Sequence, residues 1–306
     1  MPAYSTVVVG VYEGMSRRSL RLTSTLAAET GAKLVLVAAY GSAPDRPAAE
    51  DCAEIFETAN AAPAQQALDK AAAMCAELGV RDVQTYVMAG DAVSVLVAAV
   101  RLHNADLLVV GSRGLATLGG RLLGSVPGGV AREASCDVLV AHTTTEPWRN
   151  VISRRGQSQQ GYQRTVVVGV HDSPRSMRAA DRAAAIAVDA GARLVLVGVE
   201  EPMERVDFKR AADSLKGESH IAQASFSIDS VLRAADAQAQ AKGARDTTQV
   251  VVRGEAMKGL LKIAGDYEAD VLVMGNHQLT GAVSGLIGSI STQVSRKADT
   301  HLLLVH

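Results

Sequence analysis

The sequence predicts an α/β protein built from two tandem copies of one small domain, each an open five-stranded sheet flanked by helices. Three observations lead there. Short runs recur in the same order in both halves: TVVVGV at 6–11 returns at 165–170, GAKLVLV at 31–37 as GARLVLV at 191–197, ADLLVVG at 105–111 as ADVLVMG at 269–275, and CDVLVAH at 136–142 faces THLLLVH at 300–306. A repeat of about 160 residues is too long for a solenoid unit and marks a duplicated domain. Within each copy β-branched runs alternate with Ala-rich helical stretches, the pattern of βαβ units and a parallel sheet. The length, 306 residues, suits two domains of ordinary size.

Taken in order, strands are expected near 5–11, 33–39, 83–88, 106–111 and 137–142, then 165–170, 193–199, 248–252, 270–275 and 301–305. The helical period is plainest after Gly90, where Val93, Leu96, Val97 and Val100 share one face, and Met257, Leu260, Leu261 and Ala264 repeat that spacing. These residues read as core. Between the copies, TTTEPWRNVISRRGQSQQGYQR is polar and aperiodic. It reads as a solvated linker, giving domains at 1–145 and 164–306 with 146–163 between them.

Composition narrows the function. Lys plus Arg total 31 against 32 Asp plus Glu, and aromatic residues make up 3 %, a poor footprint for nucleic acid. The apolar runs are strand-sized, so neither a membrane span nor a secretion signal is expected. Cys52, Cys75 and Cys136 follow no metal spacing and cannot all pair, which suits a reducing cytoplasm.

The stretch GSRGLATLGGRLLGS, 111–125, leaves the carboxyl end of the fourth strand. Ligands of open parallel sheets sit at such strand ends, where the strand order reverses. Gly111, Gly114 and Gly124 let backbone come close to a ligand, and Ser125 suits the start of a helix with Pro127 in its first turn. A helix start offers free N–H groups and the positive end of a dipole, so the stretch outlines a phosphate site. Arg121 would screen phosphate charge.

The pattern GxxG, nine residues, then GS, between the fourth and fifth strands of a small α/β domain, resembles the universal stress protein family, and the duplication resembles its tandem members. The resemblance runs from about Ser5 to His142 and from Arg164 to His306. It implies a Rossmann-like parallel sheet in the order 3-2-1-4-5, domains paired through their fifth strands, and ATP or a related adenine nucleotide, with or without magnesium, as ligand. Carried onto this chain, Gly111, Gly114, Gly124, Ser125 and Val126 would line triphosphate and ribose, and Ala39 would border the adenine. Family members that bind ATP usually have an Asp just after the first strand. Here GVYEGMS and GVHDSPR put Tyr12 and His171 at that place, with Glu13 and Asp172 one residue later. The second copy, GNHQLTGAVSGLIGS, keeps Gly275, Gly288 and Ser289 but has Gln278 at the second glycine position, so its site reads as degenerate.

The remaining candidates have plain readings. His142 and His306 end the two fifth strands and invite a metal between the domains, but two ligands without a Cys or carboxylate pattern rarely make a site. Cys136 reads as a packed thiol. No catalytic constellation is visible. The expectation is a cytoplasmic stress-response regulator that binds nucleotide mainly in its first domain and acts on a protein partner the sequence does not name. The alternative is a scaffold with a vestigial site. Association of two chains into a homodimer is left open, since the internal pair can already satisfy the fifth-strand edges.

Overall fold

Apolar runs, buried on both faces in the inner strands and partly exposed in the two edge strands, form the ten strands of one continuous sheet in the computed structural model, which describes residues 4–12, 17–41, 50–112, 125–142, 164–200, 227–276 and 300–306. The first half contains β1 (Thr6–Gly10), α1 (Arg17–Thr30), β2 (Lys33–Tyr40), α2 (Glu50–Glu77), β3 (Val83–Ala89), α3 (Ala92–Leu102), β4 (Leu107–Gly111), α4 (Ser125–Glu133) and β5 (Asp137–Ala141). The second contains β6 (Thr165–Val170), α5 (Pro174–Ala190), β7 (Arg193–Glu200), α6 (Ile228–Ala241), β8 (Thr247–Arg253), α7 (Ala256–Asp266), β9 (Val271–Gly275) and β10 (His301–Val305). Every strand expected from the sequence forms, within a residue or two at its ends. The segment between the copies lies outside the described residues.

The strand order is β3-β2-β1-β4-β5-β10-β9-β6-β7-β8. Each half therefore has the 3-2-1-4-5 order, and all pairings are parallel except the central one. There β5 and β10 run antiparallel with Leu139 opposite Leu303, flanked by Val140 opposite Leu302 and Val138 opposite Leu304. A pseudo-two-fold axis thus passes between Leu139 and Leu303. The fifth strands pair as expected, and neither keeps an open edge.

Alternate residues of each strand feed two cores. Val7, Val9, Leu34, Leu36, Leu107 and Val109 pack with α1 and α2, and this layer continues through Leu139 and Leu303 to α5 and α6. Val8, Val35, Leu108, Val138 and Leu304 belong to the opposite layer with α3, α4 and α7. Burial on both faces explains why the strands read as unbroken apolar runs. Local signals place the helices between them. Ser173 caps α5 by accepting from Ser176 N–H at 3.1 Å, with Pro174 in the first turn, and Gly191 ends the helix at φ 61°.

Polar groups at the two ends of the central pair differ. At one end buried Asp137 accepts from Tyr4 Oη at 2.9 Å, from Arg182 Nε at 2.9 Å and from the His306 main-chain N–H at 3.2 Å. The Arg182 guanidinium also lies 4.6 Å over the Tyr4 ring. At the other end the His142 N–H donates to His301 Nδ1 at 3.1 Å. Because the strands are antiparallel, His142 and His306 lie at opposite ends of the pair, so they do not share a metal.

His301 is buried, and desolvation, with the nearby His142 second, pulls its pKa down from 6.5 to about 3. An unfolded chain would protonate it near 6.5, so it binds more protons than the folded chain between those values. Stability is complete above about pH 6.5 and falls as pH drops toward about 3. The thermal midpoint is expected to decline across that window, and His301→Gln to flatten the decline. Identical pH profiles for the two proteins would refute the assignment to His301.

Candidate functional site

The crevice at the carboxyl ends of β1 and β4 follows from how the chain leaves these strands. Their ladder stops at Val9 opposite Val109. Beyond it the chain leaving β1 stays with β2, Val11 N–H donating to Val37 O at 2.8 Å, while the chain leaving β4 stays with β5, Ser112 N–H donating to Ala141 O at 2.9 Å. The two exits part, and the strand order reverses at this place.

Tyr12 and Gly111 meet at the split. A Cβ built on Gly111 would lie 3.2 Å from the Tyr12 hydroxyl oxygen. Glycine lets the ring lie against the end of β4. Ala39, half-buried at the carboxyl end of β2, flanks the same sheet edge beside Met88 of β3. Helix α4 begins at Ser125 and returns the chain to the start of β5, so its N-terminal end faces the carboxyl edge. Half-buried Val126 packs onto the α3–α4 layer. Gly129 brings α4 against α3, since a Cβ there would fall 2.5 Å from a Val93 methyl. Gly114, Arg121 and Gly124 lie outside the described residues, as do Gln278, Gly288 and Ser289 of the second copy.

The second half repeats the split. The β6–β9 ladder stops at Val168 opposite Val273, and Asn276 N–H donates to Val305 O at 2.7 Å. Here the first turn of α5 moves in. A Cβ on Gly275 would lie 3.1 Å from the Arg175 carbonyl carbon and oxygen and 3.2 Å from Ser176 N. Buried Ser176 seals the turn: its hydroxyl accepts from His171 N–H at 2.9 Å and donates to Gly169 O at 3.3 Å. The sequence gives no hint of Ser176, because a serine in the first turn of a capped helix is ordinary. Gly275 thus serves helix packing.

Among the described residues no group of three or more His, Cys, Asp and Glu is placed to hold a metal. Burial, then the charges of Asp137 and Asp106, pushes the Cys136 thiol up to about 12, so it is a packed side chain and a poor nucleophile.

A doubly wound α/β domain with a split at its strand ends, present twice and joined edge to edge, defines a tandem α/β protein. The universal stress protein family model matches residues 3–142 and 163–306, and the chain belongs to that family. A universal stress protein of Mycobacterium tuberculosis is 40 % identical over 143 residues, 47 % of this chain and 96 % of its own length. The crystal structure of a universal stress protein from Archaeoglobus fulgidus covers 99 % of this chain and 96 % of its own, with a TM-score of 0.66 at 16 % identity, a likeness of fold. A universal stress protein solved in complex with cAMP is 37 % identical over 47 % of this chain and 97 % of its own, with a TM-score of 0.38.

The two glycines predict different mutational costs. Alanine at Gly111 meets the far end of one side chain, which can shift, whereas alanine at Gly275 meets main chain that moves only with α5. Gly275→Ala is expected to cost about 1–3 kcal/mol, the range for overpacking, and Gly111→Ala less. Urea unfolding of the full chain decides it, and the reverse order would contradict the packing described.

Proposed function

We propose that the first domain binds an adenine nucleotide, ATP or a close relative, in the crevice between β1 and β4, and that occupancy rather than turnover signals to a protein partner in a stress response. The observation that carries this reading is the parting of the β1 and β4 exits with Gly111 at the split and the start of α4 on the same sheet edge. A helix start supplies N–H donors and a favourable dipole for phosphate. In this reading Gly111, Gly114, Gly124, Ser125 and Val126 hold phosphate and ribose, with or without magnesium. Arg121 screens charge, while Ala39 and Tyr12 border the base. The domains are taken as 1–145 and 164–306 with 146–163 as linker. Free, buried Cys75 and Cys136 suit a reducing cytoplasm. Among the described residues no helix is long and apolar enough to cross a membrane.

The second domain is proposed as the weaker site. Its split is occupied by the first turn of α5, and Gln278 stands where the first copy has Gly114. A scaffold with a vestigial first site is the second reading, and Tyr12 in the place of the family's Asp is the observation that favours it.

Two measurements test the proposal on the full chain. Titration with ATP and, in parallel, cAMP is expected to show one dominant site. Gly114→Gln should weaken it at least tenfold, because left-handed backbone costs a side-chain residue roughly 1–2 kcal/mol and about 1.4 kcal/mol is a factor of ten. Gln278→Gly should leave the dominant site unchanged. No binding of either nucleotide would favour the scaffold. Phosphate release from ATP with magnesium is expected far below the typical enzyme range of about 1–1,000 per second. Turnover of several per second, lost in Gly114→Gln, would make the protein an enzyme.

A further inference from the structure

The seam between the domains reaches the proposed nucleotide site through one helix. At the end of β9, buried Asn276 turns its side chain across the seam, and its Nδ2 donates to the carbonyl of Ala131 in α4 and, at 2.6 Å, to His306 Nε2. Ala131 is among the last four residues of α4, whose carbonyls have no partner within the helix. Asn276 therefore caps the C-terminal end of a helix whose N-terminal end faces the first crevice. That helix has nine residues, so the two ends are only about 13 Å apart.

The chemistry of this junction depends on one proton. A carbonyl only accepts, so the amide atom facing Ala131 must be the nitrogen. Its second hydrogen points at His306 Nε2, which must then be the unprotonated ring nitrogen. Protonating that nitrogen sets donor against donor. Rotating the amide sets Oδ1 against the Ala131 carbonyl. Neither orientation satisfies both contacts once His306 is charged.

We propose that Asn276 and His306 form a proton-controlled clasp by which the second domain positions α4 and so tunes nucleotide affinity in the first. This inference rests on the nucleotide reading above for its effect on binding, while the clasp itself is a feature of the seam. Asn276 and His306 are positioning residues in it. Among the described residues, the charged groups facing His306 are Asp137 from β5, which favours the proton, and Arg175 and Arg178 from α5, which oppose it. Arg178 Nε also donates to the His306 main-chain oxygen at 3.1 Å. Neighbouring β9 and α4 contribute the uncharged Asn276 amide and Ala131 carbonyl. Burial is the largest influence and holds the imidazole pKa below 6.5, so the clasp is closed near neutrality and opens as pH falls below that value.

The test compares ATP affinity of the full chain at about pH 7.5 and about pH 5 with that of His306→Gln, whose amide oxygen accepts from Asn276 without titrating. The nucleotide's own titration is common to both proteins. Wild type is expected to lose at least about fivefold more affinity than His306→Gln on acidification, at the low end of measured couplings between sites. Asn276→Asp, which sets a carboxylate against the Ala131 carbonyl, is expected to bind about fivefold more weakly at both pH values, with the smaller pH response of His306→Gln. His301→Gln should keep the wild-type response, which separates the clasp from general acid destabilisation. Amide exchange at 130–134 without nucleotide gives a readout independent of binding. Acidification should deprotect these amides in wild type beyond the change in His306→Gln. Equal responses of wild type and His306→Gln in affinity would overturn the clasp. If wild type binds no ATP near neutrality, the nucleotide reading fails, and equal exchange in the two proteins then overturns the clasp separately.

Discussion

The antiparallel ladder between β5 and β10 is the constraint on which the rest of the molecule depends. A parallel five-stranded sheet ends in an apolar edge, and Val138, Leu139 and Val140 would be exposed to any chain able to pair with them. Here that edge meets its duplicate, and both apolar layers cross the junction without a break. Because the central ladder reverses direction, the carboxyl ends of the first domain's strands and those of the second point to opposite edges of one sheet. Each crevice consequently lies beside the amino-terminal strand ends of the other domain. The contact of Asn276 with α4 follows from that reversal.

Covalent linkage of the copies lets the two ends of this ladder differ, which a symmetric pair of identical chains cannot do. The position held by Asp137 in the first copy is held by His301 in the second. A buried carboxylate is costly unless its oxygens are bonded, and Asp137 has three donors drawn from both domains. Tyr4 and His306 supply two of them, while Arg182 reaches across from α5. At the opposite end a neutral imidazole accepts one main-chain N–H, with no charge to compensate. One end of the seam is thus an ionic network and the other a burial of neutral groups.

The sheet was legible in the sequence because strands buried on both faces leave unbroken Val and Leu runs, and because duplication displays each run twice. The fifth-strand pairing was legible for the same reason, as an apolar edge needing a partner. The crevice was legible only in its backbone: Gly111 and Gly275 mark the strand ends in both copies, yet one lies against a tyrosine ring and the other against helix main chain. In the second copy Ser176 fixes that turn, and nothing in its neighbourhood distinguishes a serine that seals a turn from one that faces water. The seam residues were hidden for a related reason. Asp137 and Asn276 are short polar residues at strand ends, where such residues are common, and their partners are 169 and 145 positions away.

Closing the second crevice has a structural consequence. With the first turn of α5 seated against Gly275, Arg178 and Arg182 follow on the same helix at positions that reach the seam, one to the His306 oxygen and one to Asp137. A helix start drawn back to admit phosphate would pull these side chains with it, since both follow Ser176 on the same continuous helix. The seating of that turn against Gly275 therefore holds groups that join the domains. In this arrangement the end of β9 reaches across the seam through Asn276 and holds the far end of α4 in the first domain.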